Sequence, residues 1–248
     1  MQLKVWLLNL FLLNVNCYEL SRLHLKRHAW AYSNRIHIGC ISSDSFVQLN
    51  SREKKAIDRL NSGDELLTID DESSELISTE MILMLDQQAF QTNWFYTIET
   101  ESNHKISLTE YHLIPIEHFQ NQRKYLFAKQ IQIGDFLFVS KEENNNSIEI
   151  TKSKVIEIVR ESKEGFYSPL TRDGTLLVNG ILVSSYAHVY DHWLAHQSMS
   201  FVRLIYRLSK YLHANQYLFQ HSFQQFYSFY FIYLLKMFDF CTTNFVFT

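Results

Sequence analysis

The chain has 248 residues, of which 46% are hydrophobic and 15% aromatic, and its formal net charge is -3 at neutral pH. This hydrophobic content supports a buried core in one sizeable domain or two small ones. The small net charge excludes an electrostatic argument for nucleic-acid binding or for attraction to an anionic membrane. With 2 prolines and 6 glycines, the sequence contains no flexible Gly/Pro-rich linker.

The first 17 residues have the composition of a secretory signal peptide. Lys4 precedes an apolar run over residues 5–13, which is too short to span a bilayer. We therefore expect entry into the secretory pathway through the endoplasmic reticulum, and a secreted or extracellular protein. In that compartment Asn145 of Asn-Asn-Ser would be a glycosylation acceptor. Residues 18–39 form a basic segment that is too short to fold alone.

The central cysteine, Cys40, directly follows Gly39, and together with Cys17 and Cys241 it does not suggest a disulfide framework. A cysteine after a glycine can attack the carbonyl on its own N-terminal side and convert the amide into a thioester. The alternative is an inert buried cysteine. The reaction needs groups that polarise the amide and protonate its nitrogen, and Thr109 and His112 could supply a hydroxyl and an imidazole at one place.

Between Cys40 and about residue 190 the sequence predicts an all-β domain. Short apolar runs alternate with clusters of Asp, Asn, Ser, Gly and Glu, as is typical of closely spaced strands. The clearest runs are residues 46–49, 65–69, 95–98, 106–108, 136–139 and 176–178.

An internal duplication is visible at an offset of 71 residues. Two copies of one β-unit predict a pseudo-two-fold domain, because a solenoid would need more repeats. The chemistry is asymmetric, since the positions equivalent to Thr109 and His112 are Gly180 and Val183. The matching pairs are Gly63-Asp64 with Gly134-Asp135, Phe95-Tyr96 with Phe166-Tyr167, and Thr100 with Thr171.

The pattern changes after Asp191, where apolar residues recur at helical spacing and predict a helical, aromatic-rich tail over residues 191–248. Lys236 and Asp239 interrupt the aromatic segment 223–247, so we do not expect a simple membrane span. Two alternatives remain for this tail: it packs back on the β-domain, or it forms a lipid-facing or sterol-contacting surface. The residues at helical spacing are Leu194, Phe201, Leu204, Ile205 and Leu208.

Several motifs in order make residues 39–197 resemble the Hint module of the hedgehog C-terminal autoprocessing (Hog) domain. The resemblance implies the all-β Hint (hedgehog/intein) fold, built from two duplicated β-units over residues 40–190. The final fifty residues match weakly, at the place of the family's sterol-recognition region. The motifs are Gly39-Cys40, Leu60-x-x-Gly63-Asp64-x-Leu66-Leu67, Thr109-x-x-His112-Leu113, Ile133-Gly134-Asp135, Gly165-Phe166-Tyr167-x-Pro169-Leu170-Thr171, Gly174-Thr175, Val178-x-Gly180, Ser185-Tyr186-Ala187 and Asp191-His192-x-Leu194-Ala195-His196.

The resemblance implies a self-cleaving protein. Cys40 would attack the Gly39 carbonyl to form an internal thioester. His112 would protonate the departing amine, and Thr109 would orient or polarise the amide. Asp86, in Met84-Leu85-Asp86, matches the family's base that activates the sterol hydroxyl for attack on the thioester.

The implied co-substrate is cholesterol or a similar sterol, with no cofactor, and the tail could associate with a membrane.

Two departures from the family stand out. Ser185 occupies a position where the family often has a second cysteine. No signalling domain precedes Gly39 in this sequence, so the N-terminal product would be a short peptide.

Two other functions compete with self-cleavage. The domain could be a degenerate Hint module that does not cleave and acts as a secreted binding or lipid-interaction module. An intein-like splicing element would need an asparagine at the domain end, where this chain has Ser184-Ser185.

We expect no metal site, although three histidines recur every four residues. These are His188, His192 and His196. No thiol or carboxylate is evidently placed to complete a zinc site, and His188 is predicted to lie in a strand.

Overall fold

Twelve β-strands and two α-helices form the described part of the chain, which a computed structural model gives for residues 40–70, 75–118, 123–142 and 148–211. The predicted signal peptide, Gly39, Asn145 and the aromatic segment 223–247 lie outside these residues. The strands are β1 Ile41–Ser42, β2 Phe46–Gln48, β3 Lys54–Ala56, β4 Glu65–Ile69, β5 Leu76–Thr100, β6 Lys105–Thr109, β7 Leu113–Glu117, β8 Arg123–Phe127, β9 Phe136–Glu142, β10 Ile148–Thr171, β11 Thr175–Val178 and β12 Ile181–Ser184; the helices are α1 His192–Ser198 and α2 Ser200–Tyr211.

Two long antiparallel strands organise the sheet. β5 and β10 pair from Thr100 opposite Val155 to Met81 opposite Thr171, with four register shifts along the way. The short strand β1 pairs with β10 on one side and with β6 on the other. The strand that Cys40 precedes, β1, and the strands that carry Asp86 and Thr109, β5 and β6, are therefore held next to one another or next to β10.

The predicted duplication is confirmed in the turns that lead into β4 and β9. Gly63 and Gly134 both have positive φ, 95° and 103°, which a residue with a Cβ rarely adopts. In each turn the following aspartate accepts a hydrogen bond of 2.8 Å from a backbone N–H three residues before it. Each turn follows a 3₁₀ turn, at Ile57–Arg59 and Ala128–Gln130, again 71 residues apart.

The main core is aliphatic and is shared by the two copies. The strands β11 and β12 are buried at every position, which explains their continuous apolar runs without alternation. A small separate cluster consists of Cys40, Phe95 and Phe166, and so the duplicated phenylalanines pack around the candidate nucleophile.

The two helices pack on the β-domain through one apolar face. Asp191 caps α1 by accepting a hydrogen bond of 3.0 Å from the Leu194 backbone N–H. The buried face of α2 carries Val202 and Tyr206. The predicted helical residues are correct in type, but most of them lie on the outer face: Leu194, Phe201, Leu204 and Leu208 are exposed. Within the described residues, neither helix has the length and apolar character needed to cross a membrane.

Candidate active site

Cys40 and Thr109 are joined by two hydrogen bonds. The Cys40 backbone N–H donates to Thr109 Oγ1 at 2.7 Å, and the Thr109 backbone N–H donates to the Cys40 carbonyl at 3.0 Å. These bonds extend the pairing of β1 with β6 by one residue beyond Ile41 opposite Leu108. The nitrogen of the bond that would break is therefore held against the threonine hydroxyl. Gly39, which carries the other side of that bond, lies outside the described residues.

Thr109 and His112 stand at the two ends of one tight turn between β6 and β7. The His112 backbone N–H donates to the Thr109 carbonyl at 3.0 Å, the bond that closes a four-residue turn. The turn explains the Thr-x-x-His spacing, because it closes directly at the end of β6, where Thr109 contacts Cys40. His112 is buried, so its ring acts in a site that largely excludes water.

A backbone carbonyl sets the tautomer of His112. Its Nε2 lies 2.9 Å from the carbonyl oxygen of Ser184. A carbonyl oxygen can only accept a hydrogen bond, so Nε2 carries a proton. In the neutral ring the basic nitrogen is therefore Nδ1, which can take up a proton and later give it away.

Asp86 belongs to the same row of residues across the sheet as Cys40. In the β10–β5 ladder Asp86 lies opposite Ser168, and in the β1–β10 ladder Ile41 lies opposite Tyr167. One further step of the second ladder sets Cys40 opposite Ser168. Asp86 is then two strands away from Cys40, at about 10 Å between backbones given the usual strand spacing. The Asp86 carboxylate also accepts a hydrogen bond of 3.4 Å from Gln88 Nε2.

The Cys40 thiol is protonated in its resting state. Burial raises its pKa well above the usual value of 9.0, and the nearby Asp86 charge raises it further. The residue is 0% exposed and packs against Phe95 and Phe166. A protonated thiol in an apolar setting is a weak nucleophile, so attack depends on groups that remove its proton.

Sequence analysis missed Ser168, which occupies the unspecified position of the Gly-Phe-Tyr-x-Pro motif. Its hydroxyl is buried and has no hydrogen-bond partner among the described residues, and the strand register sets it between Cys40 and Asp86. No sequence signal pointed to it, because strand register cannot be counted from the chain. Ser185, singled out as a replaced cysteine, instead uses its hydroxyl on Thr171, at 3.3 Å from the backbone N and 3.2 Å from Oγ1.

The three histidines at four-residue spacing do not share one helix face. The prediction that His188 lies in a strand is wrong, because it has a positive φ of 62° and lies in the loop before α1. His192 Nε2 lies 3.2 Å from the Gly174 carbonyl, and His196 Nδ1 lies 2.8 Å from the Tyr186 hydroxyl. The described residues contain no cluster of His, Cys, Asp and Glu that could hold a metal ion.

Comparison with known proteins identifies the family. The sequence model of the Hint module matches residues 28–238, most of the chain. The chain therefore belongs to the Hint family, and the relatives it matches are hedgehog proteins.

Those relatives are similar over most of this chain. The chain is 30% identical over 179 residues to Sonic hedgehog protein of Xenopus laevis, and the aligned region covers 71% of this chain and 39% of that protein. It is 31% identical over 181 residues to Sonic hedgehog protein of Danio rerio, covering 70% and 42%. It is 28% identical over 185 residues to Protein hedgehog of Drosophila yakuba, covering 74% and 39%. The chain thus spans about two fifths of the curated relatives that it matches.

A solved structure supports the fold. The Ssp DnaB mini-intein variant M86 matches with a TM-score of 0.52 at 16% identity, over 62% of this chain and 98% of that chain. At this identity the likeness shows the fold alone, which this chain shares with an intein. The predicted fold class is thereby confirmed.

Proposed function

We propose that this chain cleaves itself between Gly39 and Cys40 through an internal thioester, and that a sterol or water resolves the thioester. The observation that supports this best is the 2.7 Å hydrogen bond from the Cys40 amide to Thr109 Oγ1, with His112 at the other end of the same turn. The proposal places the reaction in the secretory pathway, consistent with the expected signal peptide.

In the first step the Cys40 sulfur attacks the Gly39 carbonyl carbon. A carbon–sulfur bond forms, the bond from that carbon to the Cys40 nitrogen breaks, and the nitrogen leaves as an amine. His112 Nδ1 takes the thiol proton and gives one to the departing nitrogen. The Thr109 hydroxyl accepts the N–H bond of the same nitrogen. This hydrogen bond fixes the position of the nitrogen that must be protonated as it leaves.

In the second step an acceptor hydroxyl attacks the thioester carbonyl. The hydroxyl proton passes to Asp86, an ester bond to Gly39 forms, and the Cys40 sulfur leaves and recovers a proton. The products are an N-terminal peptide esterified at Gly39 and a chain that begins with Cys40. A sterol alcohol is a poor nucleophile, so a carboxylate on the same row as the thiol favours this step. With water as acceptor the product is a free carboxylate.

A non-cleaving Hint module is the second candidate. The burial of Cys40 and the raised pKa of its thiol fit an inert cysteine. Against this candidate stands the paired Thr109 and His112 geometry, which a buried structural cysteine does not require.

Intact-mass measurement tests the proposal on the full chain carrying a tag before Tyr18. Wild type and Cys40→Ala are compared without additions, with a small thiol, and with cholesterol in detergent. We expect thiol-dependent cleavage after Gly39 in wild type alone. An additional mass of one sterol on the N-terminal peptide is expected when cholesterol is present.

Three results separate the alternatives. Cleavage in both proteins, or cleavage at another bond, would contradict the proposed chemistry. Thiol-dependent cleavage without a sterol adduct would leave water as the acceptor and remove the sterol part of the proposal. Two intact proteins under every condition would favour the non-cleaving module.

A further inference from the structure

A cavity lies between helix α2, the first part of β5 and the residue that follows β10, and Cys40 does not line it. Its volume is about 230 Å³. This is below the roughly 300–1,000 Å³ of sites for drug-sized ligands, and it suits a small group. Apart from Ile82, the cavity is lined by Glu80, Arg172, Arg203, Tyr206, Arg207 and Lys210.

Two of the four cations in this cavity already have anionic partners. Glu80, which is 7% exposed, accepts hydrogen bonds of 2.6 Å from Tyr206 Oη and from Lys210 Nζ on the same oxygen. Arg172 Nε lies 3.3 Å from the Asp173 carboxylate. The negative charge of Glu80 is thus matched by Lys210, and that of Asp173 by Arg172.

The other two cations, Arg203 and Arg207, form no ion pair within the described ranges, and the nearest anionic influence on Arg203 is the charge of Asp173, which already pairs with Arg172. They lie one helical turn apart on α2, a spacing at which like charges repel. Arg203 is 8% exposed, and among the described residues its guanidinium bonds only through Nη1, at 3.3 Å from both Tyr186 Oη and His196 Nδ1. Burial is the main cause that lowers the pKa of Arg203, and the Arg207 charge lowers it further, while Tyr186 and the Asp173 charge act in the opposite direction.

A buried guanidinium beside a second one is costly unless an anion joins them. The Nε and Nη2 groups of Arg203 make no bond to the described residues, and Arg207 makes no ion pair or side-chain hydrogen bond in that part of the chain. Two guanidinium groups at this spacing can donate several N–H bonds to the oxygens of one tetrahedral anion.

We propose that the cavity between α2 and the β-domain binds a phosphate group through Arg203 and Arg207. The group could belong to a phospholipid headgroup or to a free phosphate compound. An exposed apolar stripe on α2 adjoins Arg207 and gives the lipid source its physical basis, because it could enter the interface while the cavity holds the headgroup. The stripe consists of Phe201, Leu204, Leu208 and Tyr211.

The test uses the full chain with Cys40→Ala, so that cleavage does not alter the sample and failure of self-cleavage does not affect the result. Calorimetry measures binding of inorganic phosphate at constant ionic strength. Flotation measures binding to vesicles of phosphatidylcholine alone and of phosphatidylcholine with phosphatidylglycerol. Arg207→Gln removes one of the two guanidinium groups, and Arg59→Gln removes another exposed arginine, on a 3₁₀ turn elsewhere.

We expect saturable binding that weakens about tenfold or more in Arg207→Gln and is unchanged in Arg59→Gln. Binding of inorganic phosphate supports the site with a free phosphate compound as its source. Binding to the anionic vesicles alone, with the same dependence on Arg207, supports the site with a lipid headgroup. The proposal is overturned if neither probe binds, or if the two variants lose binding equally. Arg207 is exposed, so its replacement should leave the fold intact, which circular dichroism verifies.

Discussion

The amide nitrogen of Cys40 lies 2.7 Å from the hydroxyl oxygen of Thr109, 69 residues later in the chain. This hydrogen bond occupies the place where a regular β-ladder would pair two backbones. Thr109 therefore has a side-chain contact with the bond that is proposed to break, and its backbone supports the strand that carries Cys40. The two roles can be separated by substitution.

Thr109→Val should slow thioester formation about tenfold, because the valine side chain keeps the shape and loses the acceptor for the Cys40 N–H. Thr109→Ser keeps the hydroxyl and should remain within a factor of a few of wild type. Initial rates of thiol-induced cleavage measure both variants. Equal rates in the valine and serine variants would show that the hydroxyl does not act on the amide.

His112→Gln should lower the rate of thiol-induced cleavage by about 10²–10⁴-fold, the usual contribution of general acid–base catalysis. Glutamine can still donate to the Ser184 carbonyl, so the fold should persist, but it cannot carry a proton to the departing amine. The matched control is His104→Gln, since His104 Nε2 likewise lies 3.0 Å from a backbone carbonyl, that of Ser140. A loss of similar size in the control would indicate a structural effect of removing a histidine.

Asp86→Asn should separate the two steps of the proposed reaction. The neutral amide removes a charge that raises the pKa of Cys40, so thiol-induced cleavage should be as fast as in wild type or faster. Sterol-dependent cleavage should fall by about 10²-fold or more, because the base for the acceptor hydroxyl is lost. The two rates are measured on the same sample by intact mass, with Asp58→Asn as an exposed control. A parallel loss of both activities would contradict the assignment of Asp86 to the second step.

The raised pKa of Cys40 predicts a steep pH dependence of cleavage. Between about pH 7 and 9 the thiolate fraction grows about tenfold per pH unit, and the rate of thiol-induced cleavage should follow it. A rate that levels off near pH 9 would show that the thiol has an ordinary pKa, and a plateau at lower pH would show a lowered one.

The free energy of unfolding should fall as the pH rises, whereas the cleavage rate increases. The folded state holds the Cys40 proton more tightly than the unfolded chain, so this contribution is complete below the ordinary thiol pKa of 9.0 and is lost as the pH rises towards the folded value. Urea unfolding at pH 8 and pH 10 should therefore show a larger loss of unfolding free energy for wild type than for Cys40→Ala. The alanine variant provides the baseline for all other titrating groups.

Tyr206→Phe should lower the free energy of unfolding by about 1.5–3 kcal/mol, the usual worth of a hydrogen bond to a charged group. The lost bond joins the Tyr206 hydroxyl on α2 to the buried Glu80 carboxylate on β5. Tyr211→Phe, at an 82% exposed position of the same helix, should change stability by less than about 0.5 kcal/mol. Equal values for the two variants would show that this bond does not hold α2 to the sheet.

The sequence alone was sufficient to predict those parts of the candidate site that are formed by residues close together in the chain. Gly39-Cys40 and the Thr109–His112 turn are local, and the turn's closing hydrogen bond follows from its four-residue length. The repeat at 71 residues was visible because each copy needs a glycine with positive φ before its strand, at Gly63 and Gly134. Family resemblance, rather than local chemistry, selected Asp86.

The helical spacing of apolar residues correctly predicted a helix after Asp191. It did not predict which face of that helix packs against the sheet. Apolar residues occur on two sides of α2, and spacing alone cannot say which side meets the sheet. The structure buries Val202 and Tyr206 and exposes Phe201, Leu204 and Leu208. The prediction for His188 was wrong because its positive φ places it in a loop, and no glycine next to it in the sequence indicates such a conformation.

The sequence by itself determined the candidate cleavage dipeptide Gly39-Cys40, the turn between Thr109 and His112, and the duplicated all-β plan, because each depends on residues at short or repeated spacing. Only the tertiary structure decided the row that contains Cys40, Ser168 and Asp86, the His112 tautomer imposed by the Ser184 carbonyl, and the cavity between α2 and the β-domain that Arg203 and Arg207 line. These features arise from strand register and from packing between distant segments. A shift of one residue would turn every side chain of a strand to the other face.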